Sequence, residues 1–93
     1  MVKGKTTSGI EFELDERIKD DARFMHLLVR MQKASDPIEI SKGMNELLAL
    51  IFGSDENTYA FMNEVAAKNE GICSAKNMLV ELTEMLNALN AKN

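Results

Sequence analysis

Helix boundary signals constrain this chain more than any other feature. Asp36-Pro37-Ile38-Glu39 places an Asp at an N-cap, Pro at the first helical position and Glu where it can reach back to the cap. Gly53-Ser54-Asp55-Glu56 ends one helix on a residue that tolerates the left-handed conformation. It then opens the next with a capping hydroxyl and two acids in the first turn. Gly71 and Ser74 repeat the stop and the start. These marks predict helices over 15–34, 37–52, 54–71 and 74–91, joined by connections short enough to pack neighbours side by side.

The segment ahead of them obeys a different period. In SGIEFEL, residues 8–14, Ile10, Phe12 and Leu14 alternate with Glu11 and Glu13, as in a half-buried β-strand. Thr6-Thr7-Ser8-Gly9 can turn this strand back on Val2–Lys5, but that partner is short and nearly without apolar residues, and a lone hairpin is marginal in water. Residues 1–7 are therefore expected to be a flexible N-terminus. The expected architecture is mainly α: about four helices packed as a small bundle with one short N-terminal β-strand. The divisions are 1–7 flexible, 8–14 strand and 15–91 helical bundle within a single domain, 1–93. With no Trp, four Phe and one Tyr, the core has to come from Leu, Ile, Met and Ala, which favours helix packing over a sandwich.

A net charge of −4 argues against nucleic acid as a partner. A single Cys makes no internal disulfide and points to no oxidising compartment. MVKGKTTSG has no apolar run behind its basic residues, so it does not read as a signal peptide, and LLALIF is too short to span a bilayer. The expected location is the cytoplasm, with no membrane partner.

The helix faces differ in width. The last helix carries Ala75, Met78, Leu79, Leu82, Met85, Leu86 and Leu89 on one narrow stripe, suited to the outside of a bundle with one face in. On the second, Leu50 and Phe52 fall off the stripe of Ile40, Met44, Leu47, Leu48 and Ile51. On the first, Ile18, Ala22, Met25 and Val29 continue into Leu28, Phe24, Met31 and Leu27, an apolar arc of roughly 220° on a helical wheel. Such a helix is either the centre of the domain or partly covered by another chain. The candidates for self-association or client binding are Ile10, Phe12 and Leu14 of the strand, Phe24, Leu27 and Met31 of the first helix, and Leu50 and Phe52 of the second. Met25 and Met31 are either core filler or an adaptable surface, while Met78 and Met85 read as core.

The rest of the first helix is basic. Lys19, Arg23, His26, Arg30 and Lys33 recur at helical spacing and form one stripe, a local reversal of sign in an acidic chain. It is either a solvated face paired with Glu16 and Asp20 or a docking strip for an acidic partner or a neighbouring copy.

No catalytic constellation emerges. Cys73 precedes the last helix, whose dipole would lower its pKa, but His26 belongs to the basic stripe and nothing orients an imidazole toward a thiol. No His, Cys and carboxylate cluster has metal-ligand spacing, SDENT lacks a calcium-loop pattern and the glycines lie too far apart for a phosphate loop. The expectation is a non-enzyme with no catalytic, cofactor or metal residues.

The order of signals resembles the tail assembly chaperones of long-tailed, siphovirus-type phages and prophages of Gram-positive bacteria. The likeness rests on SGIEFEL, the acidic DERIKDD, a helix, then Asp-Pro opening a second helix that ends LLALIFG. A third helix, the glycine in NEGIC and a final helix of EL-x-EML type follow. The resemblance implies a small, helical, non-catalytic protein that self-associates. It implies one that binds and solubilises the tape-measure protein in the host cytoplasm before the tail tube forms, and is absent from the mature virion. The implied partners are the tape-measure protein, the tail tube protein as a further candidate, and other copies of the chain. A small helical adaptor or transcription regulator using the basic stripe is the alternative.

Overall fold

The computed structural model describes residues 1–91. Two antiparallel strands, β1 (Val2–Lys5) and β2 (Glu11–Leu14), precede a 3-10 helix (Glu16–Asp20) and four α-helices: α1 (Ala22–Lys33), α2 (Pro37–Phe52), α3 (Asp55–Lys68) and α4 (Ala75–Ala91). The mainly helical bundle expected from the boundary signals is therefore present, with a hairpin in place of a single strand.

The residues expected to be flexible form β1, and this corrects the reading of the N-terminus. Val2 pairs with Leu14, Lys3 with Glu13, Gly4 with Phe12 and Lys5 with Glu11. The turn is a three-residue loop with a bulge: Gly9 N–H donates to Thr6 O at 2.9 Å, Thr6 N–H donates to Ile10 O at 2.9 Å, and Gly9 has φ 98°. A hairpin alone is marginal, so its stability comes from what it packs on. Val2, Ile10 and Leu14 are buried in the common core. The loop is also held by α4: the Thr6 and Ser8 hydroxyls each donate to Glu81 Oε1 at 2.6 Å, and Thr7 donates to Glu84 Oε1 from both N–H (2.9 Å) and Oγ1 (2.6 Å).

The first predicted helix is broken in two. Asp15 accepts from the Arg17 N–H and from its guanidinium, and Asp21 does the same with Arg23. Each Asp thereby acts as an N-cap, the first of the 3-10 helix and the second of α1, with an extended backbone at Asp21 (φ −80°, ψ 124°). The later boundaries follow the sequence signals. Asp36 accepts from Ile38 N–H with Pro37 at the start of α2, Gly53 ends it at φ 80°, and Ser54 and Ser74 cap α3 and α4 through Asn57 and Asn77 N–H. Two details differ. Glu39 pairs with Lys42 at 3.7 Å, and α3 stops at Lys68, before Glu70 and Gly71 adopt positive φ.

Met78, Leu82, Met85 and Leu89 of α4 form the spine of the core, against Leu47, Leu48 and Ile51 of α2 and Phe61 and Val65 of α3. Leu79, expected on this inner stripe, is 50% exposed, and Glu81 takes a place on the inner face because it holds the hairpin loop. The wide arc of the first helix does not make α1 central. Phe24 and Leu27 face in, Leu28 and Met31 are half-buried, and Met25 and Val29 stay 55% and 45% exposed. Gly43 lets α1 approach α2: a Cβ there would lie 2.8 Å from Met31 Cγ.

Candidate functional site

An open groove of about 900 Å³ lies between α1 and α2. Its apolar parts are Ala22 and Leu27 from α1 and Ala49 and Leu50 from α2; its rim carries Arg23, His26, Arg30 and Glu46. Helical periodicity builds it. Arg23, Leu27 and Arg30 share one side of α1, while Glu46, Ala49 and Leu50 are one turn apart on α2 and its cap Gly53 follows a turn later. Arg30 Nη1 meets Glu46 Oε2 at 2.7 Å and ties the two walls together.

The basic stripe is thus partly neutralised within the chain. Arg23 Nη2 lies 2.7 Å from Asp21 Oδ2, and the guanidinium beside it holds the Asp21 carboxyl down at about 2. Arg17 does the same for Asp15, also held at about 2. His26 is exposed on the rim. Lys33 is exposed at the α1–α2 turn beside Asp36 and Glu39. Lys19 sits in the 3-10 helix ahead of the break at Asp21, so the five residues are not one continuous helical stripe. Three of them, Arg23, His26 and Arg30, meet at the groove.

The apolar candidates also divide. Ile10, Leu14 and Phe24 are fully inside the chain's own core, which corrects their expected place on a binding surface: hairpin closure and the inward face of α1 consume them. Leu27 is 7% exposed and contributes only a floor, and Leu50 is half-buried beside it. Met31 is half-buried over Gly43. Phe12 and Phe52 are half-buried and border a second hollow of about 410 Å³ between β2, the end of α2 and α3, where Phe52 stacks on Phe61 with ring centroids 4.9 Å apart.

Residues that the sequence did not single out complete the picture. Glu46 and Ala49 line the groove, and Glu81 and Glu84 hold the hairpin. Glu81 was signalled only by its position among Met78, Leu82 and Met85, where a carboxylate needs a partner to be buried. At Cys73 the expected lowering is reversed, since burial pushes the thiol up from its ordinary value. Among the described residues no three His, Cys, Asp or Glu side chains converge to hold a metal ion, and no helix is long and apolar enough to cross a membrane. No protein-family model matches the chain, and comparison with curated proteins and with solved structures finds no match.

Proposed function

We propose that the protein is a non-catalytic phage tail assembly chaperone that holds the tape-measure protein in the host cytoplasm during tail morphogenesis and acts as several copies. The observation that carries this reading is the α1–α2 groove. An apolar trough between two helices, rimmed by both signs of charge, suits the apolar stripe of an amphipathic client helix. Repetition of such grooves along a very long helical client gives avidity without a tight individual site. The exposed Met25 and Val29 on α1 add adaptable apolar surface for contact with another copy. The resemblance of SGIEFEL, DERIKDD and LLALIFG to this class supports the choice of client.

The alternative, an adaptor or regulator reading nucleic acid through the basic stripe, is weakened by the pairing of Arg23 with Asp21 and of Arg30 with Glu46. The test is co-expression with the tape-measure protein from the same tail gene cluster. Wild-type chain is expected to raise the soluble fraction of the client. Leu50→Asp, which puts a charge on the groove wall, is expected to abolish that effect while leaving the helical circular dichroism intact. Equal rescue by Leu50→Asp would refute the groove as the client site.

A further inference from the structure

We infer that the free edge of β2 is a strand-addition site for an extended partner segment carrying Lys or Arg at alternate positions. The ladder sets the geometry. Thr6 and Ile10 form a bonded pair, and antiparallel pairs alternate between bonded and non-bonded. Gly4·Phe12 and Val2·Leu14 are therefore the next bonded pairs, and Glu11 and Glu13 turn their N–H and C=O groups away from β1. Among the described residues, neither main chain bonds any other element.

That edge borders the second hollow. Glu11, Phe12 and Glu13 line it, with Met1 and Asp15 closing the end where the chain leaves the hairpin. Its opposite wall is Phe52, Phe61 and Glu64. A strand laid between β2 and α3 would pair with the Glu11 and Glu13 main chains and place one set of side chains toward Phe12 and Phe52. Charge then selects the occupant. Glu13 and Glu64 form no ion pair among the described residues, and Glu11 reaches Lys5 only at 4.0 Å. Two β2 edges from two copies would set glutamates against glutamates, which disfavours self-pairing. A basic, alternating strand meets the opposite sign. This site uses neither α1 nor its groove, so it stands or falls apart from the chaperone reading.

The test is fluorescence anisotropy with a labelled, end-capped hexapeptide of alternating Val and Lys, against the same peptide N-methylated at alternate residues. The unmethylated peptide is expected to bind, and more weakly as salt rises. N-methylation is expected to weaken it by about tenfold or more, since each lost edge bond is worth up to roughly that factor. Glu13→Pro removes one outward N–H without touching the bonds to β1, and is expected to weaken binding similarly with an unchanged circular dichroism spectrum. Absence of binding by the unmethylated peptide, or equal binding of the methylated one, would overturn the proposal. So would a sedimentation result in which Glu13→Pro dissociates an oligomer of the unliganded protein, because the edge would then belong to a second copy.

Discussion

At the residue scale, the most consequential side chain is Glu81. It is 5% exposed and accepts two of the three hydroxyl bonds that tie the hairpin loop to α4, from Thr6, itself 4% exposed, and from Ser8. Glu81→Leu keeps the volume apolar but leaves the buried Thr6 hydroxyl only the Ser8 hydroxyl, 3.2 Å away, in place of a carboxylate, at a cost of about 1 kcal/mol or more. Glu81→Gln retains an acceptor oxygen and should recover most of that loss. Thermal melts of the two variants check this: Glu81→Leu is expected to melt well below Glu81→Gln, and indistinguishable melts would mean the loop is not anchored there. The Thr6–Glu81 bond spans 75 positions, which is why neither partner stood out in the sequence. Asp15 stands where the expected first helix begins and does cap a helical turn, but Asp21 was as hard to read as Glu81. An Asp inside a helical pattern is common; Asp21 splits the expected helix because its carboxylate accepts from the Arg23 N–H as a cap and is held there by the Arg23 guanidinium.

At the element scale, the boundaries that were legible depend on chemistry within a few residues. Asp36-Pro37, Gly53-Ser54 and Ser74 act on their own backbone neighbours, and the structure uses all of them. β1 was not legible because Val2 is its only large apolar residue, and its order comes from Leu14, Glu81 and Glu84 elsewhere in the chain. The arc of α1 was readable as an excess of apolar residues, but periodicity does not say which part a neighbour covers; Phe24 and Leu27 went inside while Met25 and Val29 stayed out. The hairpin clamp also carries a pH signature. The two bonds from Thr7 lower the Glu84 pKa below its ordinary 4.5, so the ionised form favours the folded state. That contribution is fully present above pH 4.5 and is lost as pH falls through the lowered value. Hydrogen exchange at the Thr7 amide, corrected for its intrinsic pH dependence, is expected to lose protection as pH falls through that range. Glu84→Gln should remove the dependence, and a pH-independent protection factor in the unaltered chain would contradict the clamp.

At the scale of the whole molecule, the radius of gyration of 12.8 Å is close to the ~12 Å of a compact chain this long. The fold hides Ile10, Leu14 and Phe24 by itself, so of the apolar candidates the hydrophobic pattern suggested, Leu50 over the floor of Leu27 lines the groove and Phe12 and Phe52 border the second hollow. The surface features outside include the α1–α2 groove, the exposed flank of α1 at Met25 and Val29, and the acidic edge of β2. The central claim is that the groove is where a client helix lies. Amide chemical-shift mapping tests it most directly, by titrating the labelled protein with a soluble helical segment of the tape-measure protein. Saturable shifts are expected at Ala22, His26, Glu46, Ala49 and Leu50, with Ile72 and Cys73 at the far turn unmoved; shifts that cluster away from α1 and α2, or no shifts at all, would contradict a client site in the groove.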